Sequence, residues 1–124
     1  MGEANMQYLN LPVKYEGRVR LCYDVITKLI PASEIYLFGS YARGDLELGN
    51  MINVLVLIGE EHSNRDIHRL HLEVEEMIYR INDEVFQIEL IILPETLYTK
   101  YLLTSTKLKQ IELEKINLSQ LTWR

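Results

Sequence analysis

Residues 39–58 read Gly-Ser-Tyr-Ala-Arg-Gly-Asp-Leu-Glu-Leu-Gly-Asn-Met-Ile-Asn-Val-Leu-Val-Leu-Ile. The two ends of this stretch ask for different structures. Asn53 to Ile58 is apolar at nearly every position, the pattern of a strand covered on both faces. Gly39-Ser40 closes the short aromatic and β-branched run Glu34-Ile-Tyr-Leu-Phe38, which reads as an earlier strand. A helix starting at Ser40 would bring free backbone N–H groups and a hydroxyl together, an arrangement that suits a phosphate. Gly39 would let the backbone approach a ligand closely. Ser40 could donate to a phosphate oxygen, and Arg43 could pair with a phosphate or with a carboxylate. The dipeptide alone also describes a simple turn.

Working outward, Tyr15, Val19, Cys22, Ile26, Leu29 and Ile30 recur at spacings of three and four, one face of a helix that Pro31 stops. Ile67, Leu70, Val74, Met77, Ile78 and Ile81 form a longer stripe, and the helix carrying it starts with Asn64 as N-cap and runs to about Asn82. Arg65, Asp66, Arg69, Glu73, Glu75, Glu76 and Arg80 read as its solvent face. Val85 to Leu93 is a third strand closed by Pro94. Glu95–Thr104 and Thr106–Lys115 read as helices, and Ile116–Leu118 as a short strand. Strands alternating with helices predict an α/β (α+β) domain, a sheet with helices packed on it. Periodicity leaves open whether the first two strands form a hairpin-like pair or a crossover. Residues 1–12 carry little pattern and read as a loose N-terminal arm, with residues 13–124 as one domain.

The 124 residues are 48% hydrophobic and 25% charged, the balance of an ordinary globular domain with a core of its own. The formal net charge of −5 argues against non-specific nucleic-acid binding, which draws affinity from neutralising phosphates. The single cysteine, Cys22, has no internal disulfide partner and reads as a packed small hydrophobe. No run reaches the roughly 20 apolar residues of a membrane span, and the first residues lack the pattern of a signal peptide. A cytoplasmic protein with no membrane association is the expectation.

Gly39-Ser40-Tyr41-Ala42-Arg43-Gly44 resembles the signature of the minimal nucleotidyltransferases, small members of the DNA polymerase beta-like superfamily. In that family Gly-Ser-x-Ala-Arg-Gly is followed by a short loop and then by Ser-Asp-x-Asp opening an apolar strand. The likeness extends along the chain. Glu89, within Phe86-Gln-Ile-Glu-Leu-Ile-Ile-Leu93, stands where the family places a third acid. Ile111-Glu-Leu-Glu114-Lys-Ile-Asn-Leu118 is similar to the closing helix and strand, with Glu114-Lys115 in place of the usual Glu-Gly. The resemblance implies a nucleotidyltransferase-like mixed sheet flanked by helices, a phosphate site at Gly39, Ser40 and Arg43, and metal-dependent nucleotidyl transfer.

Two positions depart from that pattern. By family position Asn50 replaces the Ser, Met51 the first Asp and Asn53 the second. The i, i+2 spacing puts Met51 and Asn53 on one face of the strand. Mg²⁺ takes hard oxygen ligands. Met51 offers a soft thioether and Asn53 a neutral carbonyl, which leaves Glu89 as the one charged ligand of the three. The resemblance therefore implies a degenerate member in which Mg²⁺ binding is weak or lost. Such a protein would act by binding a partner, either a small helical protein of the HEPN type, as in toxin–antitoxin pairs, or a second copy of itself. The alternative is an active enzyme that moves a nucleoside monophosphate from a triphosphate to a protein or small-molecule hydroxyl, with Glu89 helped by Asn53 and Asp45. A third reading is nucleotide binding without catalysis.

Asp45 and Glu47 otherwise read as solvated loop residues, and Glu89, a charge in an apolar strand, as exposed, paired or liganded. His62, His68 and His71 lack companion ligands and read as solvated. Tyr98 and Tyr101, with Leu102, suit either core packing or a partner surface.

Overall fold

A computed structural model describes residues 8–46, 51–81 and 86–123. The elements run α1 (Val13–Leu29), β1 (Glu34–Phe38), α2 (Ser40–Arg43), β2 (Met51–Ile58), α3 (Asn64–Ile81), β3 (Gln87–Pro94), α4 (Glu95–Leu102), α5 (Thr106–Glu114) and β4 (Ile116–Asn117), followed by a 3₁₀ turn at Leu118–Gln120. The expected mixed sheet with flanking helices is present. Glu47, Asn50, Asn82 and Val85 lie outside the described residues.

The strand order is β3-β2-β1-β4. β1 pairs antiparallel with β2, which resolves the relation that periodicity left open, and antiparallel with β4. β2 and β3 run parallel, joined across the sheet by α3. Strand alternation then sorts the side chains. Ile35, Leu37, Ile52, Val54, Val56, Ile58, Ile88, Leu90 and Ile92 meet α1 and α3 in the larger core. Phe38, Leu55 and Leu57 face the opposite way and pack with Tyr98, Leu108 and Ile111 of α4 and α5. β2 is apolar throughout because both of its faces are covered.

Three local expectations change. Leu9 and Leu11 are buried in the larger core, so the described end of the arm is packed rather than loose. The long helix is capped by Ser63, not Asn64. Ser63 Oγ accepts from the Asp66 N–H and an Asp66 carboxylate oxygen accepts from the Ser63 N–H, both at 3.2 Å, a reciprocal capping box. Leu118 belongs to the 3₁₀ turn rather than to β4. The acid–base pattern along α3 gives exposed pairs such as Arg80–Glu76 at 2.5 Å. Among the described residues no helix is long and apolar enough to cross a membrane.

Candidate functional site

The chain leaves β1 through Gly39, whose φ of 78° and ψ of −156° lie in a region essentially closed to side-chain-bearing residues. A Cβ there would sit 2.3 Å from Asn53 Oδ1, because β2 passes directly beneath the turn. Only glycine fits. The four-residue helix α2 follows, and its Tyr41 is 1% exposed. The Tyr41 hydroxyl accepts from Arg18 Nη1 at 3.1 Å, and its ring meets Tyr15 edge-on. Tyr41 thus anchors the motif turn to α1. Gly44 ends α2 with a φ of 75°, close against the Asn10 carbonyl, which ties the turn to the packed N-terminal segment.

Beside this turn lies an open cleft of about 510 Å³. Gly39, Ser40, Arg43, Met51 and Asn53 all line it, so five of the six residues singled out from the sequence share one place. The sixth, Glu89, joins through Asn53. The parallel register sets Asn53 opposite Glu89 and Met51 opposite Gln87. Asn53 Nδ2 donates to Glu89 Oε1 at 2.6 Å.

Sequence reasoning missed the opposite wall, which α5 supplies. Lys107, Gln110 and Glu114 all face the cleft, and their three- and four-residue spacing puts them on one side of that helix. That spacing was the available signal. Lys107 Nζ donates to Glu89 Oε2 at 2.5 Å. Partial burial works against ionisation of Glu89. The Lys107 ammonium and the Asn53 amide outweigh it and hold the carboxyl below its ordinary value.

Glu114 has a matching position at the turn. Its Oε1 accepts from the Gly39 N–H and its Oε2 from Arg43 Nη1, both at 2.9 Å. Burial opposes its charge too, but Arg43, the Gly39 N–H and the Gln110 amide lower its pKa. The N–H and the guanidinium expected to serve a phosphate are therefore engaged by a carboxylate of the chain itself. Arg43 takes the carboxylate option left open by its sequence context. Ser40 faces the cleft, and Asp45 is partly buried with its N–H bonded to the Ser40 carbonyl.

The donor set can be tested against the divalent ion that the resemblance implies. Met51 is 40% exposed and presents a thioether. Asn53 has its amide nitrogen on Glu89 and its oxygen against Gly39. Each Glu89 oxygen has a donor, one of them cationic. One thioether, one amide oxygen and one lysine-paired carboxylate do not fit Mg²⁺. Among the described residues no three His, Cys, Asp or Glu side chains converge as a metal site.

The remaining candidates are placed elsewhere. His71 is half-buried rather than solvated. Its Nε2 lies 2.8 Å from the Leu90 carbonyl and its Nδ1 3.1 Å from Glu75. It thereby ties α3 to β3, an edge strand of the sheet. Tyr98 is core and Tyr101 is exposed. Cys22 is fully buried, and burial pushes its thiol up to about 12. The chain matches no protein-family model and no curated protein.

Proposed function

We propose that this chain is a nucleotidyltransferase-fold protein without metal-dependent transfer chemistry, which works in the cytoplasm by binding a protein partner. The observation that carries the reading is the state of Glu89, whose two oxygens are held by Asn53 and Lys107. An acid that serves a metal needs its oxygens free toward the cleft. Here an amide and an ammonium of the same chain neutralise it. Engagement of the Gly39 N–H and Arg43 by Glu114 adds support, because a triphosphate would have to displace that carboxylate. The partner class, a small helical protein of the HEPN type in an antitoxin-like pairing, rests on the motif resemblance, and self-association is the other form of the same reading.

Incubation with labelled ATP, GTP, CTP and UTP, with Mg²⁺ or Mn²⁺ and a helical protein encoded beside this chain, separates the readings. The expected result is a stable complex and no transferred label. Label on any protein would establish the enzyme reading. Absence of any complex at micromolar concentration, with the candidate partner or with itself, would remove the binding reading. Restoring the acids by Met51→Asp with Asn53→Asp, and removing the competing ammonium by Lys107→Ala, should create Mn²⁺ binding measurable by calorimetry.

A further inference from the structure

A second concavity, away from the motif, lies where the end of α4 meets α5. Leu102, Leu103, Lys109, Glu112 and Leu113 line about 460 Å³ of it. Leu103 is 78% exposed and Leu113 83%, the two most exposed large apolar side chains among the described residues. They come from different elements yet face one groove. Single exposed leucines are ordinary, but a pair converging on one concave surface is a candidate contact site.

The charges around the groove are unequal in their engagement. The Glu112 carboxylate accepts from Lys115 Nζ and from the Tyr98 hydroxyl, both at 2.7 Å, and is held below its ordinary value by them. Lys109 is exposed and makes no ion pair among the described residues. Lys100 stands three positions before Leu103, with its ammonium 5.7 Å from the centre of the Tyr101 ring and in no ion pair among the described residues. In a chain of net charge −5, the unengaged charge of this groove is positive.

We infer that the α4–α5 groove docks an acidic amphipathic helical segment of another protein, with Leu103 and Leu113 receiving its apolar stripe and Lys109 pairing with a carboxylate on its flank. The inference rests on the reading of the chain as a protein that acts by binding another. A second copy of this chain fits less well. It would bring the same unpaired lysine to the contact. A helix laid in a groove needs only a few anchors at i, i+3 and i+7.

The test uses two labelled helical peptides of about four turns with the same leucine stripe, one flanked by Glu and one by Lys. They are titrated by fluorescence anisotropy against the full chain and its variants Lys109→Glu, Leu103→Ser and Leu113→Ser, with circular dichroism confirming that each variant is folded. The acidic peptide is expected to bind at least about tenfold tighter than the basic one, Lys109→Glu to reverse that preference, and either serine variant to weaken binding about tenfold. Equal binding of the two peptides, or a preference that survives Lys109→Glu, overturns the proposal. So does a wild-type dimer in sedimentation that Leu113→Ser dissociates, or flotation with anionic vesicles that depends on the same residues. Nucleotidyl label transfer would defeat the binding reading without touching these titrations, so the two failures are distinguishable.

Discussion

Replacing Gly39 with alanine is expected to destabilise the fold by about 2–4 kcal/mol, from two separable causes. The backbone at φ 78°, ψ −156° costs a residue with a Cβ about 1–3 kcal/mol in strain. The new Cβ would also lie 2.3 Å from Asn53 Oδ1 and 2.8 Å from Asn53 Cγ. Asn53 cannot move aside freely, because its Nδ2 donates to Glu89 at 2.6 Å. Losing a hydrogen bond to a charged acceptor costs about 1.5–3 kcal/mol when buried, and the partial exposure of Glu89 reduces this to about 1 kcal/mol. Against a typical total stability of about 5–15 kcal/mol, the loss is readily measured by urea unfolding.

A double-mutant cycle with Asn53→Ala separates the causes. In that background the contacts at 2.3 and 2.8 Å are gone and the strain remains, so Gly39→Ala should cost only about 1–3 kcal/mol, a coupling of about 1 kcal/mol. A cost under about 1 kcal/mol in the wild-type background would refute the strain argument. An equal cost in both backgrounds would refute the close approach of β2 to the turn.

Leu9→Ala should cost about 2–4 kcal/mol in urea unfolding, since Leu9 is buried in the larger core, and a change under about 0.5 kcal/mol would restore the loose-arm reading. Glu89, Glu112 and Glu114 all lie below the ordinary glutamate value of 4.5 in the fold. Their contribution is therefore fully present above that value and is lost as pH falls through the folded values, so the urea midpoint should hold steady from neutral pH and then drop on acidification. Glu89→Gln with Glu114→Gln should make that drop shallower, and an unchanged slope would count against both pairings. Lys115→Met should cost about 1–2 kcal/mol, because the ammonium stacks on Tyr36 at 4.3 Å and Tyr98 at 5.2 Å while pairing with Glu112, whereas Lys115→Arg should retain most of the stability.

The elements were legible where a periodic apolar pattern reports burial directly. The α1 and α3 stripes and the run of β2 are such cases, and their limits fall within a few residues of expectation. The cleft residues from Gly39 to Asn53 were legible as well, because a turn and the strand beneath it are close in sequence. The partners of that cleft were not. Glu89 and Lys107 are 18 positions apart, and Arg43 and Glu114 are 71 apart. No local propensity encodes such pairings. The N-terminal segment failed for a different reason: Leu9 and Leu11 are too few to make a period, yet tertiary packing buries both. Asn64 reads as the cap by residue type alone, whereas Ser63 takes the position because Asp66, three residues on, completes a capping box with it.

Met51, Asn53, Glu89 and Lys107 form one electrostatic set. A carboxylate on the face of β3 that looks toward α5 needs a cation or donors nearby. If acids stood at 51 and 53, Lys107 would not balance them, and a divalent ion would be the economical solution. With Met51 and Asn53 present, the local negative charge falls to that of Glu89, which one lysine matches. Asn53 then serves twice, donating to Glu89 and presenting its oxygen to the Cα of Gly39. On this account Lys107→Ala alone should leave Glu89 short of a cation and lower stability by about 1 kcal/mol, the scale of a partly exposed pair. Combined with Glu89→Leu, which removes the charge needing that cation, the same lysine substitution should cost nearly nothing. Equal costs in the two backgrounds would show that Lys107 does not act through Glu89, and the argument for an internally neutralised site would fail with it.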